Sequence, residues 1–399
     1  MIFFLGLSHL SLCYAAAALK KGYRVNIIDF KNEVKDYNNN KKKVYEPQLS
    51  SILKKYKKNF SISDNFKKLK TAKIIFLAKD LKTNYQNKVE LFEIKKLLKK
   101  ISFLSSKKIL VVKSQVPVGF TRKILWKENL KFHYVETLIF GRAINRALFP
   151  ERIIIGKNQD NSKIPQILLN FFTNFKCPII EMKYEESELT KGFINTYLAS
   201  QVITTNYLNE FSKLYKANWS KIKNALSLDK RIGKFSYLNP GLGLSGGNIE
   251  RDLKTISDNR KRLGLNSGFT DILLGQSNYY KSWVNQKIAQ IIKKKFIIGI
   301  LGYTYKLNTL STKNSPQSEL LNSFKNKFLI YDQFYIHKTL SVNLKKILEL
   351  SNIVVIYHDL EELKKINFHK YKNINYVIDP FKILECNSII NSKKYFSLT

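Results

Sequence analysis

Lys191 and Asn195 form a pair of polar side chains that could act together on a substrate. They lie four residues apart in the stretch 187–216, which contains no proline and is predicted to form one long helix. Residues at positions i and i+4 share a helix face, so the ammonium and the amide can point at the same substrate atom. A lysine and an asparagine on a solvated face would give the same spacing, so this pattern alone does not assign a site.

The stretch 229–252 is rich in glycine and ends in a second candidate group, the carboxylate of Asp252. Glycine at this density marks a loop whose backbone approaches a ligand closely or takes positive φ angles. A flexible linker is the alternative. The apolar residues Tyr237, Leu238 and Leu242 within the stretch argue against it, because linkers are polar and contain few aromatic residues.

The first thirty residues have the order strand, tight turn, helix and strand, which is typical of a dinucleotide-binding βαβ unit. The fingerprint G-x-G-x-x-G is altered, because serines replace its second and third glycines. The first serine adds bulk, but its hydroxyl can donate to a phosphate oxygen. An acidic residue about twenty positions further on is expected at the ribose hydroxyls and favours NAD over NADP. An ordinary α/β beginning remains the alternative. The residues assigned to the cofactor are Gly6, Ser8, Leu10, Ser11 and Asp29.

Length and composition indicate a chain of two or three domains. With 399 residues it exceeds a single ordinary core, and no apolar run reaches the roughly 18 residues that span a bilayer. The first residues lack the basic segment of a signal peptide. The three cysteines are far apart and lack metal-ligand spacing. We therefore expect a cytoplasmic protein with no membrane association and no metal site.

The net charge of +39 would ordinarily suggest a nucleic-acid partner. The lysines, however, are scattered through every segment, and no RNA-binding signature accompanies them. This distribution is typical of a solvated surface, so no nucleic-acid partner is expected.

The glycine-rich stretch resembles the active-site loop of the UDP-glucose/GDP-mannose dehydrogenase family, D-x-R-I-G…F-L-x-P-G-x-G-x-G-G-S-C-F-P-K-D. The resemblance extends in chain order from Gly6 to about Asp379. Six further stretches resemble patterns of the same family. Residues 45–49 resemble Y-E-P-x-L, residues 112–119 resemble V-K-S-T-V-P-x-G, and residues 136–144 resemble E-F-L-x-E-G-x-A-I. Residues 150–156 resemble P-x-R-I-V-I-G, residues 187–195 resemble A-E-L-x-K-x-x-x-N, and residues 296–309 resemble V-x-x-L-G-x-x-F-K-x-x-T.

The resemblance implies an α/β fold with two Rossmann-like, doubly wound parallel-sheet domains joined by a long central helix. It divides the chain into an NAD-binding domain at 1–185, a helical dimerisation and active-site domain at 186–294, and a nucleotide-sugar-binding domain at 295–399. It further implies NAD as the cofactor, a nucleotide-sugar substrate and a homodimer built on the long helix. We expect a UDP-sugar over a GDP-sugar.

The resemblance also assigns roles to single residues. Lys191, Asn195 and Asp252, the last through a water, match the groups of the family's first oxidation, and Glu136 and Asn248 complete the catalytic set. Gln115, assigned to the cofactor site, replaces a threonine that in the family helps to hold the catalytic water. The residues expected at the substrate are Tyr237, Gly241, Lys306 and Arg231, the last reaching the substrate of a partner chain.

The departures from the family pattern concentrate on its second oxidation. Asn248 stands at the position of the nucleophilic cysteine, Arg251 at a lysine, and Phe140 at an acidic residue. The D-G-R pattern near the end reads Asp379-Pro380-Phe381. Since an amide cannot form the thioester intermediate, we expect an NAD-dependent oxidoreductase that stops after one two-electron step or acts on the sugar by a thiol-free route. A catalytically silent nucleotide-sugar-binding homologue and a basic nucleic-acid-associated protein are the alternatives.

Overall fold

The computed structural model describes residues 1–41, 44–82, 89–105, 107–384 and 394–398. The chain forms two compact units, Met1–Phe193 and Ile194–Thr399. The division into three segments with boundaries at 185 and 294 stays a prediction.

The first unit is built on an eight-stranded sheet with the order β3-β2-β1-β4-β5-β6-β7-β8. Neighbouring strands are parallel except β6 and β7, which are antiparallel. Parallel strands buried on both faces are expected to be continuous apolar runs, as β1, β4 and β5 are. The strands are β1 Ile2–Leu5, β2 Val25–Ile28, β3 Phe60–Ser63, β4 Ile74–Leu77, β5 Ile109–Val112, β6 Lys131–Tyr134, β7 Ile153–Lys157 and β8 Ile179–Lys183.

Helices cover both faces of this sheet. Successive side chains of a strand point to opposite faces, so Ile2 and Phe4 of β1 join one apolar core while Phe3 and Leu5 join another. The first core includes the buried alanines of α1, whose small side chains let the helix approach the sheet. The helices are α1 His9–Lys20, α2 Lys31–Asn38, α3 Leu49–Lys55, α4 Phe92–Lys100, α5 Ala143–Leu148 and α6 Gln166–Thr173.

The long helix predicted at 187–216 is α7, Tyr184–Leu214. It begins directly after β8 and continues from the first unit into the second. It ends two residues before Lys216, which takes a left-handed conformation with a φ of 52°. The long central helix is therefore confirmed, with its start three residues earlier than predicted.

The second unit contains a five-stranded, fully parallel sheet with the order β10-β9-β11-β12-β13. This confirms the expected pair of doubly wound sheets. The strands are β9 Ile297–Leu301, β10 Lys327–Tyr331, β11 Ile353–Ile356, β12 Tyr376–Ile378 and β13 Lys394–Phe396. The helices are α8 Trp219–Leu228, α9 Ile249–Arg262, α10 Gly268–Lys281, α11 Trp283–Ile291, α12 Pro316–Ser323 and α13 Leu344–Leu350.

Within the described ranges, no helix has the length and apolar character needed to cross a membrane.

Gly299 in β9 gives a test of the packing between the second sheet and α13. A Cβ atom at this glycine would lie 2.5 Å from both Ile347 Cγ2 and Ser351 Oγ. We expect Gly299→Ala to lower the free energy of unfolding by about 1–3 kcal/mol, because the strand and the helix must separate. Gly275→Ala in α10 is the matched control. Nothing lies within 4 Å of its Cβ position, so the better helix former should add roughly 0.5–1 kcal/mol. Urea unfolding measures both changes, and equal effects would contradict the packing described.

Candidate active site

A buried carboxylate lies at the centre of the candidate site in the second unit. Asn195 on α7 donates through Nδ2 to Asp252 Oδ2 at 2.6 Å. Nε and Nη2 of Arg251 each lie 3.0 Å from Asp252 Oδ1. All three residues are only 5% exposed. The carboxylate is thus held through both oxygens, and the guanidinium compensates its charge.

Helix α9 positions Asn248 and Asp252 one turn apart. Asn248 immediately precedes the helix, and its backbone carbonyl accepts from the backbone N–H of Asp252 at 3.0 Å. An acidic residue in the first turn interacts favourably with the positive end of the helix dipole. Asn248 itself is exposed, and its side chain makes no capping hydrogen bond. The position of the family's nucleophile is therefore at the surface of this unit, close to Asp252 in the chain.

The glycine-rich loop ahead of α9 is fixed by specific contacts, so the linker interpretation is wrong. The Asn206 amide pairs with the backbone of Gly241, donating to its carbonyl and accepting from its N–H, both at 2.8 Å. Gly243 has a φ of +71°, and a Cβ atom there would lie 2.5 Å from the carbonyl oxygen of Ser277. Glycine is therefore required at this position for both its conformation and its lack of a side chain.

The other residues expected at the substrate are more exposed. Arg231 has a side chain that is 90% exposed and contacts Asp229 at 2.7 Å. Tyr237 is 41% exposed, and its backbone carbonyl accepts from Thr205 Oγ1 at 2.6 Å. Lys306 is exposed in the segment after β9. The structure does not gather these three side chains around Asp252, and their substrate roles stay predictions.

In the first unit, Lys191 contacts Glu136. Its Nζ lies 3.6 Å from Glu136 Oε2, and both side chains are 12% exposed. The other carboxylate oxygen of Glu136 accepts from the backbone N–H of Leu138. This pairing fixes the ammonium of Lys191, which lies on α7 one turn before Asn195.

The first βα turn has the geometry of an anion site at a helix N-terminus. Gly6 has a φ of +101°. Ser8 is the N-cap of α1 and forms a capping box with Ser11. The Ser8 hydroxyl also donates to the backbone carbonyl of Ala78 at 2.8 Å. Its proton is therefore engaged in this structure, and donation to a phosphate would require the hydroxyl to turn.

The carboxylate of Asp29 is engaged by donors from the chain itself. Lys79 Nζ lies 2.7 Å from Asp29 Oδ2, and the backbone N–H groups of Leu7 and Phe30 donate to the carboxylate at 2.6 and 2.8 Å. Asp29 is fully buried, and Lys79 also contacts Glu33 at 2.6 Å. Burial opposes the charge of Lys79, but the two carboxylates hold its pKa above the ordinary value. A charged ammonium thus lies where a ribose hydroxyl is expected.

Asp80, the residue after Lys79, interacts electrostatically with His9 at the beginning of α1. Gln115 follows β5 and is half-buried. The frame fits NAD in Gly6, the N-terminus of α1 and Asp29, and the carboxylate of Asp29 is already held by Lys79. Lys79 and Asp80 follow the buried strand β4 after one intervening residue, and no role was predicted for them from the sequence.

Two family models match the chain. Residues 1–176 match the UDP-glucose/GDP-mannose dehydrogenase family, NAD binding domain, and residues 185–276 match the central domain of the same family. These segments carry the Asp29 site, Lys191, Asn195 and Asp252.

Several known proteins are similar in sequence. A protein of Methanocaldococcus jannaschii described as uncharacterized is 32% identical over 257 residues, which are 61% of this chain and 28% of that protein. UDP-glucose 6-dehydrogenase of Campylobacter jejuni is 30% identical over 239 residues, 58% of this chain and 60% of the relative. UDP-glucose 6-dehydrogenase of Streptococcus pneumoniae is 24% identical over 379 residues, 89% of this chain and 94% of the relative. The chain thus matches less than two thirds of the first two relatives and most of the third.

Solved structures share the fold over the whole chain. A UDP-glucose dehydrogenase from the archaeon Pyrobaculum islandicum has a TM-score of 0.85 at 20% identity, covering 100% of this chain and 97% of that one. A UDP-D-ManNAc dehydrogenase from Pyrococcus horikoshii has a TM-score of 0.84 at 20% identity, covering 100% and 99%.

The Asn195–Asp252 contact can be tested through stability. Asn195→Ala removes a donor from a buried carboxylate oxygen, and we expect the free energy of unfolding to fall by about 1–3 kcal/mol. Asn224→Ala, at an exposed position of α8, brings the same gain in helix propensity without touching a buried group. It should change stability by less than about 0.5 kcal/mol. Equal changes in chemical denaturation would show that Asn195 does not hold Asp252.

Proposed function

Because this chain belongs to the UDP-glucose/GDP-mannose dehydrogenase family, we propose that it is an NAD-dependent oxidoreductase that oxidises the primary alcohol of a nucleotide sugar in one two-electron step. The observation that carries the proposal is the buried contact of Asn195 with Asp252. It keeps two groups matching the family's first oxidation in a fixed arrangement.

The first oxidation requires a hydride acceptor, a base for the hydroxyl proton and donors for the developing alkoxide. NAD supplies the acceptor when bound. Asp252 accepts the proton through a water, and the fork of Arg251 keeps its carboxylate oriented. The Asn195 Nδ2 group carries two protons, of which one goes to Asp252. Asn195 and Lys191 donate to the substrate oxygen.

The second oxidation of the family proceeds through a covalent thioester on a cysteine, and Asn248 cannot form one. Of the three cysteines, Cys13 and Cys177 belong to the first unit, while Cys386 lies outside the described residues. The proposal is therefore that the aldehyde is released as the product.

The substrate class follows from the relatives. Those of Campylobacter jejuni and Streptococcus pneumoniae are named UDP-glucose 6-dehydrogenases, and we propose a UDP-sugar for this chain.

The cytoplasm is proposed as its location, because Cys13 and Cys177 are both free thiols. A catalytically silent nucleotide-sugar-binding homologue is the second candidate, and it is favoured by the ion pair of Lys79 with Asp29, the residue assigned to the ribose of the cofactor.

The stoichiometry of the reaction tests the proposal directly. With a panel of UDP- and GDP-sugars and excess NAD, we expect one NADH per sugar consumed and an aldehyde that a hydrazine reagent traps. Two NADH per sugar and a uronic acid would show that the thiol is dispensable. No NADH with any sugar, together with nucleotide-sugar binding in calorimetry, would establish the silent homologue.

The variant Asn248→Cys extends this test. It restores a thiol one turn from Asp252, so a fraction of the product should become carboxylate if the other groups are correctly placed. Asn248→Ser serves as the matched control, because it has similar size and cannot form a thioester. Carboxylate from the serine variant as well would contradict the thiol argument.

NAD binding should become tighter when Lys79 is removed. In Lys79→Ala the Asp29 carboxylate accepts ribose hydroxyls without first losing an ion pair, and we expect the Kd for NAD to fall roughly tenfold, about 1.4 kcal/mol. Lys82→Ala is the matched control, because Lys82 contacts Glu93 at 2.7 Å, is 68% exposed, and is not among the donors to Asp29. Calorimetry with NAD and NADP gives the readout. Unchanged or weaker NAD binding in Lys79→Ala would contradict the inference that NAD has to break the ion pair between Lys79 and Asp29.

We propose a homodimer that buries α7. The helix exposes several large apolar side chains close together, which is unusual for the surface of a monomer. They are Tyr207, Phe211 and Leu214, which are 62%, 54% and 77% exposed. Light scattering should give the dimer mass at micromolar concentration, and Phe211→Glu should give the monomer. Phe92→Glu, at a residue of α4 that is 76% exposed, should leave the dimer intact. A monomeric wild-type chain would exclude this interface.

A further inference from the structure

Three side chains with metal-ligating atoms converge in the first unit. They are His9, Cys13 and Glu46, whose ligand atoms all lie within 4.8 Å of one another. His9 Nε2 is 2.9 Å from Glu46 Oε2 and 3.5 Å from Cys13 Sγ. We propose that these residues bind a divalent transition-metal ion, with Zn²⁺ as the preferred ion. No metal site was expected from the sequence, because the spacing between the cysteines does not indicate one.

The ligands are held in place before any ion binds. His9 and Cys13 are four residues apart on α1 and share a helix face. The carboxylate of Glu46 accepts the backbone N–H groups of Gly141 at 3.1 Å and Ala143 at 2.7 Å. Such outer contacts orient ligands in metal sites and raise their affinity.

The ring of His9 has an additional support. It stacks on Phe140, with 4.5 Å between the ring centroids. Phe140 stands at a position where the family has an acidic residue, so this contact is a feature of the present chain. The stacking fixes the plane of the imidazole and with it the direction of the Nε2 lone pair.

A catalytic Cys–His–Glu arrangement does not explain the cluster. In such a triad the imidazole uses one nitrogen for the nucleophile and the other for the carboxylate. Here the thiol and the carboxylate both contact Nε2, and one nitrogen carries at most one proton. Cys13 is also fully buried, which excludes substrate from the sulfur. Three atoms with lone pairs that converge on one point are instead satisfied together by a cation.

The donor set favours zinc over the hard cations. Zn²⁺ binds thiolate at about 2.3 Å, imidazole at about 2.0–2.1 Å and carboxylate at about 2.0–2.2 Å, so neighbouring tetrahedral ligands lie roughly 3–4 Å apart. The separations of His9 Nε2 from Glu46 Oε2 and Cys13 Sγ, 2.9 and 3.5 Å, are close to this range. Thiolate and imidazole select against Mg²⁺ and Ca²⁺. The thiolate and carboxylate together balance the charge of the ion, and three protein ligands leave a fourth position for water.

Metal titration of the tag-free, full-length chain tests the proposal. We expect one equivalent of Zn²⁺ to bind in competition with a chromogenic chelator, and one equivalent of Co²⁺ to produce a thiolate-to-cobalt charge-transfer band. Saturating Zn²⁺ should raise the Tm, since an ion that binds the folded state stabilises it. Absence of saturable binding would overturn the proposal.

Variants locate the site. Cys13→Ser should abolish the charge-transfer band and weaken Zn²⁺ binding by at least roughly tenfold. Cys177→Ser is the matched control, because Cys177 is the other free cysteine of the first unit and lies outside the cluster; it should retain both signals. A band that survives Cys13→Ser or disappears in Cys177→Ser would refute the assignment. Since Cys13 is buried, His9→Gln provides a second test at a less buried ligand, and wild-type Zn²⁺ affinity in this folded variant would also refute it.

Discussion

The site of the second unit depends on one buried carboxylate. At 5% exposure, Asp252 is largely removed from bulk solvent, and an ionised group in that environment persists only when it is paired and hydrogen-bonded. Arg251 supplies the opposite charge and Asn195 supplies a neutral donor. The hydrogen bond from Asn195 connects α7 with the beginning of α9. The same contact therefore orients the proposed base and holds the two helices together.

Buried charge organises the first unit as well, with a different outcome. Lys79 is surrounded by Asp29, Glu33 and, at 3.6 Å, Glu93, and it links strand β4 to strand β2. In a dinucleotide-binding unit the Asp29 carboxylate would be reserved for the ligand. Here it already contributes to the folded chain. In the cofactor role proposed for Asp29, part of the interaction energy with NAD is used to break this ion pair, which lowers the net affinity.

The sequence predicted most of the architecture, because apolar runs and long uninterrupted helical stretches are local signals. Helix α7 differs from its prediction by a few residues at each end. Strand β13, Lys394–Phe396, escaped notice because it is short and begins with a charged residue. The antiparallel pairing of β7 with β6 depends on a chain reversal that carries no strong sequence signal.

The sites were predictable only where a motif marked them. Asn195 and Asp252 were each marked by a family pattern, while the contact between them was not predicted. The pair Lys79–Asp29 had no such marker, because it depends on β1 lying between β2 and β4 in the sheet. The cluster of His9, Cys13 and Glu46 likewise joins a helix face to a distant segment. Such contacts depend on how segments distant in the chain are aligned with one another in the fold. That alignment cannot be read from the local composition of a single sequence.

The bond from Ser8 to the carbonyl of Ala78 has a consequence for how the first βα turn can move. It ties the turn to the residue that immediately precedes Lys79, whose ammonium is held by Asp29. The carboxylate of Asp29 in turn accepts the backbone N–H of Leu7, directly before Ser8. Turn, lysine and aspartate therefore form a closed ring of contacts, and a shift of the turn has to break one of them.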